Sequence, residues 1–223
     1  MSLTPRLRHS LKYALSPLLF RYPPFGLQPE RLMVWLQTLE RTGPVPGAVL
    51  EVGCSVGGTT AIGHGLMRNL GIDKSYVAID TFGGFVEGQF SLDAQDGTPA
   101  THRHQFSANS QKLVRRNLAR FGAGDVVLVQ GDVVTIPTSR LPHQVSACLI
   151  DVDLSEPVHA ALEKIVPLMS PGGVVLVDDC AEDTDWRARD GYVRYVRSAD
   201  LPETYRHGFG VVEVLQEAVG SGT

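Results

Sequence analysis

No apolar run in this sequence approaches the ~20 residues that a helix needs to cross a bilayer. The most apolar stretch near the start, residues 11–20, follows Arg6 and Arg8 and is interrupted by Lys12 and Pro17. No small-residue cleavage site follows it, which argues against a secretory signal. Cysteine is scarce: Cys54, Cys148 and Cys180 are the only three in 223 residues, and their spacing suits no metal site. Two of them sit in or beside apolar runs, as reduced thiols packed in a core do, and a cytoplasmic location is the default expectation. Neither sign of charge dominates. Twenty basic side chains face 24 acidic ones, net −4, so nucleic acid is not indicated as a partner. Internal repeats and low-complexity tracts are also absent.

What remains is an ordinary globular chain, 43% hydrophobic and 20% charged, long enough for one sizeable core. One α/β domain is favoured over two. Residues 1–40 read as helical pieces broken at Tyr22-Pro23-Pro24. The better piece is 29–39, where Leu32, Trp35, Leu36 and Leu39 recur at helical spacing. A turn-rich linker, Gly43-Pro44-Val45-Pro46-Gly47, closes this part. Residues 1–47 are therefore expected to form an N-terminal helical arm, and 48–223 the main domain. The basic, apolar start of the arm suits packing on a partner subunit, hence a homo-oligomer. Contact with an anionic membrane surface is the lesser alternative.

From residue 48 the pattern changes to short apolar runs alternating with helical stretches. Strands are expected at 48–52, 75–79, 126–130, 145–150 and 174–177, and helices at 59–70, 109–121, 157–169 and 185–197. Residues 83–100 are polar and glycine-rich, so a long loop is expected there, and a turn at 170–173. Residues 205–216, broken at Gly208 and Gly210, look like a terminal antiparallel pair. Continuous apolar strands separated by helices mean a parallel sheet covered on both faces. The expected fold is a Rossmann-like, doubly wound, mostly parallel α/β sheet, whose ligands bind outside the carboxyl ends of the strands.

Those ends carry the chemistry. The first strand runs into Glu51-Val52-Gly53-Cys54-Ser55-Val56-Gly57-Gly58. Its glycines permit a tight turn and leave room for a ligand against the backbone. A dinucleotide dehydrogenase would prefer G-x-G-x-x-G, and here Ser55 replaces the middle glycine. The second strand ends in Asp80, placed to accept both hydroxyls of a ribose. The third ends in Gln130-Gly131-Asp132-Val133. The fourth and fifth both end in paired acids, Asp151-Val152-Asp153 and Asp178-Asp179. These strands should be neighbours, which gathers four carboxylates in one region. Such repulsion needs an offset, and an all-oxygen set suits Mg²⁺ better than Zn²⁺. Alternation along an extended chain would place Asp151 and Asp153 on one face.

Two resemblances follow from these residues. Glu51-Val52-Gly53-Cys54-Ser55-Val56-Gly57 is similar to motif I of class I S-adenosylmethionine-dependent methyltransferases. That resemblance implies cofactor contacts at Glu51, Gly53, Ser55 and Gly57, and puts Asp132 and Val133 at the adenine edge. The run from Ile150 through Asp153 to Glu156, followed by Leu168-Met169-Ser170-Pro171-Gly172-Gly173 and the apolar approach to Asp178-Asp179, resembles the macrocin O-methyltransferase family. Asp80-Thr81-Phe82 matches a further family motif and implies cofactor contacts at Thr81 and Phe82. The resemblance covers about residues 48–180. It departs at Ser155, Pro157, Val158 and Cys180, on the acceptor side. It implies a Mg²⁺-dependent sugar O-methyltransferase of natural-product biosynthesis. Asp151, Asp178 and Asp179 would hold the metal, Asp151 would also lie against the cofactor, and Asp153 would be the general base. Apart from the resemblance, residues 83–110 suit a lid, whose His102 and His104 are either solvated, as lone loop histidines usually are, or in touch with the acceptor. Three rivals stay open: a catechol-type methyltransferase, a NAD-dependent dehydrogenase and a non-catalytic nucleoside-binding module.

Overall fold

The computed structural model describes residues 23–215 together with Leu11 and Leu15. The helical piece expected at the start of the arm otherwise lies outside the described residues. Seven strands are present: β1 (Ala48–Val52), β2 (Tyr76–Asp80), β3 (Val127–Gln130), β4 (Val145–Ile150), β5 (Met169–Val177), β6 (Tyr205–Arg206) and β7 (Phe209–Glu213). They form one sheet in the order β3-β2-β1-β4-β5-β7-β6. The first five pair in parallel, while β7 runs antiparallel to both β5 and β6. This is the doubly wound, mostly parallel sheet with a terminal antiparallel pair that the strand pattern predicts. The chain reverses its direction of winding between β1 and β4, which opens a crevice at their carboxyl ends.

The helices are α1 (Pro29–Arg41), α2 (Gly58–Asn69), α3 (Glu87–Gln95), α4 (Gln111–Arg120), α5 (Ser155–Ile165) and α6 (Ala188–Ser198). All six residues of β4 are buried, because the sheet is covered on both faces. Cys148 and Ile150 pack with Val158, Leu162 and Tyr192 of α5 and α6. Ala147 and Leu149 point the other way, into a cluster with Val34, Trp35 and Leu39 of α1 and Met67 of α2. The second half of the arm thus shares the core of the sheet. The three thiols are free and buried, as their apolar neighbours lead one to expect. Among the described residues no helix is long and apolar enough to cross a membrane.

Two expectations are corrected. The segment 83–100 is not a loop throughout, since it contains α3. That helix buries one large apolar side chain, Phe90, beside Gln89 and Asp93, so it leaves no helical period of apolar residues. Polar contacts hold it instead: Asp93 accepts from the Ser155 amide at 2.7 Å and the Ser155 hydroxyl at 2.5 Å. Residues 170–173 do not reverse the chain. They bulge from β5, which pairs with β4 through Met169 and resumes at Val174. The Gly172 amide reaches the Val214 carbonyl at 2.7 Å. A Pro-Gly-Gly run marks a bulge here because Gly172 adopts φ 84° within a continuing strand.

Candidate functional site

A cleft of about 700 Å³ opens at the carboxyl ends of β1, β2, β4 and β5. Its first wall is the β1–α2 turn. A Cβ on Gly53 would lie 1.8 Å from the Asp151 carbonyl oxygen, and one on Gly58 would lie 1.7 Å from that of Pro24. Only glycine lets β4 and residues 24–26 approach this turn so closely. Asp80 ties the turn to the end of β2. Its carboxylate accepts the Ser55 amide at 2.9 Å and the Phe82 amide at 2.7 Å. Burial raises the Asp80 pKa, and those backbone bonds partly offset the rise. Asp132 is held in the same manner, accepting from Gln89 Nε2 and the Val134 amide, each at 2.9 Å.

Glu51, Gly53, Ser55, Asp80, Thr81, Asp132, Val133 and Asp151 all line the cleft. Gly57 and Phe82, expected at the cofactor, lie behind its wall. Gly57 is the left-handed N-cap of α2, and a Cβ there would meet Val114 and Leu118 at 3.1 Å. The Phe82 ring is buried in the core, and only its amide serves the site, through Asp80. A motif match identifies the turn, but not which way each residue of it faces.

Glu51 is buried beside the cleft and accepts from the Tyr76 hydroxyl at 2.7 Å. Burial pushes its pKa from the ordinary 4.5 up to about 7, against the pull of that bond. Between those values the folded protein keeps a proton that the unfolded chain has released. The resulting stability is fully present below pH 4.5 and is lost as pH rises through 7. Glu51→Gln, which is neutral at every pH, should lose less Tm than wild type between about pH 5 and 8 in metal-free buffer. Parallel Tm profiles in thermal melts would show that Glu51 ionises normally.

The second wall is acidic. Carboxylate oxygens of Asp151, Asp153 and Asp179 all lie within 4.8 Å of one another. Asp178, the fourth acid, pairs with Arg31: one guanidinium nitrogen, Nη1, donates to Asp178 Oδ1 at 2.8 Å and to Asp179 Oδ1 at 2.7 Å. Burial and Asp178 raise the Asp151 pKa well above normal, and burial and Asp179 do the same for Asp153. Asp178 is pushed up to about 7 by burial and Asp179, although Arg31 pulls it down. Three of the four acids, Asp151, Asp153 and Asp179, converge, and Asp178 joins them across Arg31, but strand alternation is not the reason. β4 ends at Ile150, and Asp153 has φ 63° in the left-handed region. Asp179, at φ 55°, turns in the same way after β5. Four of the six described non-glycine residues with positive φ (Ser55, Phe82, Asp153 and Asp179) sit at these strand ends. Backbone strain of this kind collects at functional sites.

Sequence reasoning missed Arg31, which lies 147 residues from Asp178 and carries no motif. It also missed an aromatic wall. Phe85 packs at 5.5 Å from Trp186 and 5.4 Å from Phe106, and His102 stacks 4.7 Å from Trp186. All four rings line the cleft, whereas His104, expected beside the acceptor, does not.

The sequence profile of the family described as Macrocin-O-methyltransferase (TylF) matches residues 30–201. Over 201 residues the chain is 29% identical to the 8-demethyl-8-(2,3-dimethoxy-alpha-L-rhamnosyl)-tetracenomycin-C 4'-O-methyltransferase of Streptomyces olivaceus, covering 86% of this chain and 70% of that one. Over 176 residues it is 31% identical to the demethyldecarbamoylnovobiocin O-methyltransferase of Streptomyces niveus, covering 77% of this chain and 62% of that one. Among solved structures, the O-methyltransferase NovP superposes with a TM-score of 0.70 at 22% identity, over 84% of this chain and 80% of that chain. The calicheamicin methyltransferase CalS11 gives 0.67 at 21%, over 94% and 91%. At these identities the structural likeness speaks for the fold.

Proposed function

Because the chain belongs to the macrocin O-methyltransferase family and is an enzyme of that methyltransferase class, we propose that it transfers a methyl group from S-adenosylmethionine to a hydroxyl of a sugar or other natural-product acceptor, with Mg²⁺ at the acid cluster. The observation that carries this reading is the shared cleft: the acids at the ends of β4 and β5 face the same space as the Asp80 and Asp132 loops. Both curated relatives carry names of natural-product O-methyltransferases, one of them acting at a rhamnosyl group.

The donor set fits a hard cation. Octahedral Mg²⁺ places its oxygen ligands about 2.9 to 4.1 Å apart. The oxygens of Asp151, Asp153 and Asp179, within 4.8 Å of one another, come near that spacing, and Asp178 stands beside them across Arg31. Asp178 and Asp179 already share one positive charge, that of Arg31. The family resemblance assigns them with Asp151 as the metal ligands and Asp153 as the general base, whereas the tightest group of oxygens holds Asp153 in place of Asp178. When bound, the ion would draw two adjacent acceptor hydroxyls together and lower the pKa of the one to be methylated.

The remaining roles belong to the chain. The Asp80 carboxylate, fixed by two backbone amides, is positioned for the ribose hydroxyls. Asp132 and Val133 edge the adenine, and the Gly53 turn leaves room for the methionine end. An Asp153 carboxylate oxygen takes the acceptor proton as its oxygen attacks the sulfonium methyl in line. The aromatic wall keeps water from that approach. Residues 1–47 act as an arm for the oligomer and the acceptor site, a role supported by the exposed Phe25 and Met33 on its described half.

Methyl transfer should be followed as S-adenosylhomocysteine release, over a panel of glycosides, deoxysugars and catechols. Turnover with a sugar-bearing acceptor, lost with EDTA and restored with Mg²⁺, is the expected result. Activity indifferent to EDTA would remove the metal from the scheme, and turnover of catechols alone would favour the phenolic alternative.

A further inference from the structure

Arg31 stands where a bridging cation would stand. Its Nη1 lies 2.8 Å from one carboxylate and 2.7 Å from the next, so a single nitrogen serves two side chains. The three groups are only 14%, 7% and 16% exposed. On its other side the guanidinium packs over Gly208 of the β6–β7 turn, where a Cβ would come within 2.9 Å of Nε. The backbone beneath it is fixed. Val34, Trp35 and Leu39 bury α1 in the core, and Arg41 at the end of the helix pairs with Glu213 at 2.7 Å. Arg31 can therefore leave the acids only by rotating its own side chain into the cleft, which it already lines.

Among the described residues, one guanidinium, that of Arg31, pairs within this wall of four carboxylates. Two cations cannot share so small a space without strong repulsion. Resting on the reading of the acid cluster as a metal site, we propose that Arg31 is a resident counter-cation which an incoming divalent ion must displace. It holds Asp178 and Asp179 together in the metal-free enzyme and weakens metal binding by competing for the same oxygens. The exchange is one charged group for another on a rigid frame, with no movement of α1. A merely structural arginine would have the opposite effect: its removal would loosen the acids and weaken the metal.

The sign of the change in metal affinity therefore decides the matter. Mn²⁺ binding to the full chain, free of acceptor, should be measured by calorimetry or electron paramagnetic resonance. Arg31→Met and Arg31→Gln should each bind Mn²⁺ at least about fivefold more tightly than wild type, within the usual range of coupling between two sites. Arg31→Lys, which keeps the charge, should stay near wild type. The neutral variants should also lose Tm when metal-free and regain it with saturating Mn²⁺. Wild-type binding with equal or weaker affinity in a folded neutral variant would overturn the proposal while leaving the metal site intact. Should only Arg31→Lys fold, affinity far below wild type in that variant would count against competition. No Mn²⁺ binding by any form, wild type included, would instead remove the metal reading on which the proposal stands.

Discussion

Asp179→Asn is expected to reduce methyl transfer by about 10³-fold or more while leaving the fold intact. Asp179 is the acid that links both halves of the cluster. It lies within 4.8 Å of Asp151 and Asp153, and it shares Arg31 with Asp178. Asparagine keeps its volume but offers a divalent ion a neutral oxygen in place of an anionic one. The affinity for Mn²⁺ should fall together with the rate. Stability should respond differently, because the variant removes one of several mutually repelling charges and one of two partners of Arg31. These changes oppose each other, so Tm should stay within about 3 °C, on the order of 1 kcal/mol for a chain of this size. Rate and metal affinity would come from initial velocities over a Mg²⁺ series and from calorimetry, and the fold from circular dichroism. Near-normal turnover in Asp179→Asn would end the metal assignment.

That the cluster exists could be read from two apolar runs ending in acids. Ala147 to Ile150 and Val174 to Val177 are apolar because helices cover both faces of the sheet at β4 and β5. A charged residue at the end of such a strand has to emerge at an edge of the sheet, and in a parallel sheet that edge is the ligand crevice. The pairing of β4 with β5 then brings the acids together. How they meet was not legible. The left-handed turns at Asp153 and Asp179 depend on the close approach of other segments, including the Arg187 amide that binds the Asp153 carbonyl at 3.1 Å. Arg31 was hidden for a related reason: on α1 it is one basic residue in an amphipathic helix, and only the tertiary fold carries it to β5. The aromatic wall draws on positions 85, 102, 106 and 186, with no local period to connect them. Helix α3 went unseen because polar bonds to the start of α5 hold it rather than an apolar stripe.

The last acid to assign is Asp153, and its replacement separates two roles that the geometry places side by side. Asp153 belongs to the same compact group as Asp151 and Asp179. As a ligand it would be needed to hold the ion, and as the base only to take the proton. Asp153→Asn should bind Mn²⁺ within about threefold of wild type, yet lower kcat by about 10²- to 10⁴-fold, the usual worth of a positioned general base. KM for the acceptor should change little, since the hydroxyls are gathered at the other three acids. The base reading also predicts a change of shape with pH. Without Asp153, proton removal passes to solvent, and the rate should climb with hydroxide concentration over a range where wild type is already level. A large loss of Mn²⁺ affinity in Asp153→Asn would make it a ligand and pass the base to another group. The same measurement on Asp178→Asn would then show whether Arg31, rather than the metal, is that residue's permanent partner.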